Sequence, residues 1–228
     1  MSIELLELAS QALEPLLDDV VFLGGASIVL WITDPGAPPA RPTKDVDVVV
    51  EITTRAQFYA FEERLRSLHF KEDKEDGVIC RWHHDDSGLI LDAMPSNASI
   101  LGFANRWQGA SIPHALKRGL PSGAKLRAAP PVYLLATKIE AFNDRGREDF
   151  LGSRDFSDII VLVDGREELV AEARSAEPSL RAYLADELGR LLSHPRFRDG
   201  VSAALRPDAA SQARADMVVL PRLRELIA

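Results

Sequence analysis

The segment "KDVDVVVE", residues 44–51, constrains this chain more than any other. Its valines mark a buried β-strand, yet Asp45 and Asp47 are built into it. Strand side chains alternate, so the two carboxylates share one face and Val46, Val48 and Val50 the other. The carboxylates are then about 6–7 Å apart. At an effective dielectric near 20 they repel by roughly 2–3 kcal/mol. Either the strand lies at an edge with both acids in water, or a cation cancels the repulsion. Mg²⁺ is hard and octahedral, and one or two carboxylates plus substrate phosphates commonly hold it.

Three further features favour the cation. In "FLGGAS" (22–27) a strand meets two glycines and feeds a helix over 24–32. Gly24 and Gly25 let backbone approach a ligand closely, a helix start offers N–H groups to phosphate, and Ser27 adds a hydroxyl. A plain turn is the alternative. In "GLILDAMP" Asp92 ends an apolar strand, and pairing beside 45–52 would bring it to the first two acids. Three carboxylates suit a two-ion phosphoryl displacement; an ordinary strand-end acid is the alternative. Lys138 lies in the apolar stripe of a helix over 130–145, and Asp155 and Asp158 share a face of a helix over 153–165. A snorkelling lysine and an acid favouring the helix dipole are the plain readings.

The remaining pattern gives an amphipathic helix over 3–17, a strand at 20–23 and a loop over 33–43 holding four prolines. Thr54 and Gln57 form a capping box ahead of Phe58, Phe61, Leu65 and Leu68. Segments 77–84 and 88–94 read as a hairpin turning at Asp85–Ser87. Beyond Glu167 at least three helices are expected, broken near Pro178, Pro195 and Pro207.

A net charge of −8 disfavours a nucleic-acid coat protein, but residues 93–139 contain no acid and carry Arg106, Lys117, Arg118, Lys125, Arg127 and Lys138. That stretch is either a solvated loop region or a face for a polyanion. Cys80 is the single cysteine, which excludes an internal disulfide and fits a reducing cytoplasm. There is no apolar run near 18 residues and no basic start of a secretory signal, so no membrane association is expected. His83-His84-Asp85-Asp86 is an improbable joint metal site, because neighbouring strand residues face opposite ways. Trp82 and Trp107 are base-stacking candidates, more ordinarily packing residues.

The order "LGGAS … KDVDVVVE … LDAMP … LLATKIEAFNDR … SRDFSDII" resembles the polymerase-β-like nucleotidyltransferase superfamily, within it the AbiEii/AbiGii-type toxin nucleotidyltransferases of bacteria. The resemblance spans residues 20–165. It implies an α+β fold, a nucleotidyltransferase-type mixed sheet flanked by helices and followed by a helical C-terminal region. The expected division is a catalytic core over 1–128 and a helical region over 129–228 that completes the site. Gly24, Gly25 and Ser27 then contact a nucleoside triphosphate, and Asp45, Asp47 and Asp92 hold magnesium, two ions in all. Lys138 meets the nucleotide phosphates. Asp155, with Asp158, matches the later acidic motif. The implied activity is NMP transfer to a hydroxyl of RNA, tRNA or protein, in a cytoplasmic toxin paired with an antitoxin. A small-molecule acceptor such as an antibiotic, a non-catalytic nucleotide-binding module and an unrelated α/β domain are the rival readings. Nineteen residues separate Gly25 from Asp45, longer than usual for the superfamily, and the proline-rich loop accounts for the surplus. Such insertions cost little.

Overall fold

The computed structural model describes residues 2–73, 78–102, 105–146 and 148–228. The chain forms two compact units, Met1–Leu30 with Arg41–Pro130, and Trp31–Ala40 with Pro131–Ala228.

The first unit opens on α1 (Ser2–Ala12), which stops ahead of Pro15 and gives way to a 3-10 turn at Glu14–Leu16. Proline supplies no N–H to continue an α-helix, so the helix expected to 17 is shorter. β1 (Val20–Leu23) leads into α2 (Gly24–Ser27), a single turn followed by a 3-10 turn at Ile28–Leu30. The helix expected over 24–32 is thus two short turns. β2 (Asp45–Val50) precedes α3 (Arg55–Ser67), whose start is the expected capping box of Thr54 and Gln57. Phe58, Phe61 and Leu65 are its buried face.

β3 (Phe70–Glu72), β4 (Arg81–His84) and β5 (Ile90–Pro95) follow. The turn falls where the sequence placed it, closed by Gly88, φ +67°, with Gly88 N–H donating to His84 O. β4 is shorter than 77–84, since residues 79–80 form a turn, and Gly77 lies outside the described residues. Next come α4 (Ala98–Leu101), α5 (Arg106–Ser111) and the β6 (Leu116–Gly119) and β7 (Lys125–Ala128) hairpin.

Among the described residues seven strands form one sheet, ordered β3-β4-β5-β2-β1-β7-β6. β2 pairs antiparallel with β1 and parallel with β5, giving a mixed sheet. β2 is central, which explains why Val48, Val49 and Val50 are all buried while Asp45 and Asp47 keep some exposure. β3, β6 and β7 escape a sequence reading because each is only three or four residues long. β6 buries nothing, and β7 buries only Leu126 and Ala128.

The second unit is helical. α6 (Pro131–Asp144) and α7 (Arg154–Gly165) are buried over most of their lengths, α7 capped by Ser153 as expected. α8 (Leu169–Arg174), α9 (Pro178–Leu192), α10 (Phe197–Ala204), α11 (Ala209–Arg214) and α12 (Leu220–Leu226) complete it. A π turn at Ala215–Val219 joins the last two, just ahead of Pro221, which denies the Met217 carbonyl its ordinary i+4 donor. Phe150, Phe156 and Phe197 pack edge to face, with Gly200 against Phe150 and Phe156.

Residues 31–40 belong to this unit because they close the end of α7. Thr33 and Asp34 N–H groups both donate to Gly165 O. Arg214 bridges Asp34 Oδ2 (2.6 Å) and Asp164 Oδ1 (2.8 Å), and Arg222 donates to the Val163 and Asp164 carbonyls. The C-terminal helices thereby satisfy carbonyls that the end of α7 would otherwise leave unpaired. Among the described residues no helix is long and apolar enough to cross a membrane.

Candidate functional site

In the first unit the parallel β2–β5 register sets Asp47 opposite Asp92 and Asp45 opposite Ile90. The antiparallel β4–β5 register sets Arg81 opposite Asp92. Arg81 Nε and Nη2 donate to Asp92 Oδ1 and Oδ2, each at 2.8 Å, and Nη2 also reaches Asp45 Oδ2 at 3.1 Å. Asp45 and Asp92 therefore converge on one cation, and that cation is a side chain. Thr43 Oγ1 donates to Asp45 Oδ1 at 2.8 Å and orients it further.

Asp47 borders the glycine turn. Gly24 has φ +74°, and a Cβ on it would fall 1.8 Å from Asp47 Oδ2. Only glycine meets both demands without strain. Leu23, just before it, pairs with Asp47 across β1 and β2. The structure thus gathers Gly24, Asp45, Asp47 and Asp92 in one region. Ser27 is fully buried and donates to Leu23 O at 2.8 Å, so its hydroxyl serves the turn itself. Gly25 is buried within the same turn.

Cys80 lies beneath the acids, its carbonyl accepting from Ala93 N–H. Burial, with the Asp92 and Asp47 charges adding to it, pushes its thiol up to about 12.

The second unit holds a separate ionic cluster. Lys138 is 7% exposed, and its Nζ lies 3.1 Å from Asp155 Oδ1 and 2.7 Å from Asp158 Oδ2. Arg145 forks onto Asp155, Nε to Oδ2 at 2.7 Å and Nη2 to Oδ1 at 2.9 Å. Burial pulls the Asp155 carboxyl upward, but the Arg145 hydrogen bonds and the Lys138 charge outweigh it and leave it below the ordinary range. Lys138, Asp155 and Asp158 are brought together as buried partners.

The buried charged side chains among the described residues are Asp92, Lys138, Asp155, Asp158 and Asp164. Four of these are candidates from sequence. Arg81 and Arg145 were missed, although an arginine between Cys80 and Trp82 in an apolar strand was a usable signal.

The other candidates resolve into structural roles. Trp82 and Trp107 are buried beneath Arg66 and Arg106, so neither offers a free ring face for a base. His83 contacts Asp73 and His84 contacts Ser87, on separate partners. In the acid-free stretch, of which residues 103–104 lie outside the described residues, Arg118 donates to Leu30 O. Arg127 likewise donates to Asp18 O and Ile112 O. Those two guanidinium groups tie backbone together, while Arg106, Lys117 and Lys125 face solvent.

Among the described residues no group of three or more His, Cys, Asp or Glu side chains could hold a metal ion unaided. Asp45 and Asp92 nevertheless focus hard oxygen donors on one point that already carries positive charge. That donor set fits a magnesium ion whose remaining ligands come from a substrate.

No protein-family model matches the chain, and no curated protein matches it significantly. Among solved structures, an antigenic nucleotidyltransferase-like protein from Paracoccidioides brasiliensis aligns over 89% of this chain and 92% of its own. The identity is 21% and the TM-score 0.48. At that identity and score the likeness decides neither fold nor activity.

Proposed function

We propose that this chain is a nucleotidyltransferase, moving an NMP from a nucleoside triphosphate to an acceptor hydroxyl. The observation that carries the reading is the focus of Asp45 and Asp92 on one cation position, with Asp47 beside them against the Gly24 turn. Two carboxylates on adjacent parallel strands, with a third beside a glycine turn, suit a metal–triphosphate complex. Asp45 and Asp92 would hold magnesium, with Asp47 as the third carboxylate and a second ion implied by the resemblance. Bound there, magnesium would neutralise phosphate charge and acidify an acceptor hydroxyl.

The chain's own groups supply the rest. Gly24, lacking a Cβ, lets its backbone lie against the Asp47 carboxylate, where any side chain would clash. The acceptor oxygen attacks the α-phosphorus and pyrophosphate leaves in line, the hydroxyl proton going to Asp92 or, where a metal would acidify the hydroxyl, to solvent. The resemblance assigns Lys138 to nucleotide phosphates; within the second unit Asp155 and Asp158 hold its ammonium.

Within that class we favour the AbiEii/AbiGii-type branch on the motif order, with RNA, tRNA or protein as acceptor and an antitoxin as partner. A second reading, a nucleotide-binding module without catalysis, is favoured by the guanidinium that already neutralises Asp45 and Asp92. Incubation with each α-phosphate-labelled NTP, Mg²⁺ and cell extract tests both. Label on RNA or protein supports the toxin-like reading, and label on small molecules selects an antibiotic-type acceptor. Binding of Mg·NTP without label transfer selects the module.

A further inference from the structure

Arg81 Nη2 reaches both Asp45 Oδ2 and Asp92 Oδ2, the carboxylates that would hold a metal. Its side chain is 16% exposed, against 34% for Asp45 and 11% for Asp92, so the contact is only partly screened by water. The planar fork matches the Asp92 carboxylate with two parallel bonds, which is the strong form of such a pair. Each carboxylate oxygen has more than one lone pair, so the competition is one of charge: a guanidinium and a divalent ion drawn to the same point between Asp45 and Asp92 repel one another.

Resting on the transferase reading of this site, we propose that Arg81 is a built-in counter-ion that competes with the divalent cation for Asp45 and Asp92. It holds the two carboxylates together while no ion is bound, offsetting their repulsion. Cation entry requires Arg81 to release at least Asp45 and the Asp92 oxygen shared through Nη2. Arg81 is thus a positioning residue. It keeps the carboxylates assembled and weakens their hold on a lone ion. A triphosphate arriving with its metal offers the released guanidinium a bidentate partner of its own. The competition is built by strand pairing, because β4 places Arg81 directly across from Asp92.

The test is Mn²⁺ binding to the full chain, read as loss of the free-ion EPR signal, with no nucleotide present. Arg81→Gln is expected to bind Mn²⁺ about tenfold tighter than wild type or better. The gain should vanish in the Arg81→Gln/Asp45→Asn double variant. A purely structural arginine predicts equal or weaker binding in Arg81→Gln, and that result overturns the proposal.

Should Arg81→Gln not fold, ¹⁵N spectra of the wild type serve instead, with Arg81→Lys assigning the Arg81 Nε–H signal. Saturating Mg²⁺ should shift that signal away from its carboxylate-bound position; an unmoved signal overturns the proposal. Neither readout uses turnover. Tighter Mn²⁺ binding without nucleotidyl transfer upholds the Arg81 role and sinks the enzymatic reading, and transfer with unchanged Mn²⁺ affinity does the reverse.

Discussion

Gly24 and Asp47 are packed so closely that a Cβ on the glycine would fall 1.8 Å from the carboxylate oxygen Oδ2. The glycine also has φ +74°, a conformation costing other residues roughly 1–2 kcal/mol. Gly24→Ala must therefore strain the turn and move Asp47. A thermal melt should show a lowered Tm, and nucleotidyl transfer should fall by about 100-fold, the scale expected for a misplaced catalytic group.

Lys138 separates two buried carboxylates, and Lys138→Met removes their shared partner. Breaking a buried pair from one side costs about 3–5 kcal/mol. Urea denaturation of the variant should show a loss of that order, with an unchanged m-value if the unfolding remains two-state.

The same cluster sets a pH dependence. Asp155 is held below the ordinary carboxylate range in the fold despite its burial, chiefly through Arg145 and Lys138. As pH falls, the unfolded chain takes up this proton first, so stability declines on acidification. The contribution is complete above the unfolded value and is lost as pH falls through the folded one. Urea midpoints from about pH 5 downward should trace this limb. Arg145→Ala should flatten it, because the folded carboxyl then titrates closer to its unfolded value.

Arg214 joins Asp34 to Asp164, which is 1% exposed. Burial pushes the Asp164 carboxyl up, even with the Arg214 hydrogen bond pulling it down. Arg214→Ala strands that acid and frees residues 31–40 from α7. A stability loss of about 3–5 kcal/mol is expected. Protease cleavage within the 33–43 loop should accelerate.

Much of the site was legible because the physics is local. Asp45 and Asp47 reveal themselves by period-two spacing in a valine run, and Asp92 by ending another apolar strand. Lys138 and Asp158 stand out as charges on apolar helix faces. Arg81 signalled itself only as a charge between Cys80 and Trp82; its partners come from β4–β5 register, which the sequence does not state. Ser27 misled because a hydroxyl beside two glycines looks available, whereas it folds back on Leu23 O. The β6–β7 hairpin was hidden by its shortness, four residues to a strand, with β6 burying nothing at the sheet edge.

Cys80 should be silent. It is 3% exposed, and its thiol is pushed up to about 12, so little thiolate exists near neutrality. A thiol reagent such as DTNB should react with the native chain far more slowly than with the urea-unfolded chain. Fast native labelling would show that the region beneath Asp92 opens readily.

The most direct measurement compares wild type with Asp47→Ala in transfer of label from α-phosphate-labelled NTPs, in Mg²⁺ and cell extract, alongside a thermal melt of each. Labelled product is expected with wild type alone, while the variant keeps a cooperative thermal melt. Equal labelling by a folded Asp47→Ala, or no labelled product from wild type with any NTP, would contradict the transferase account.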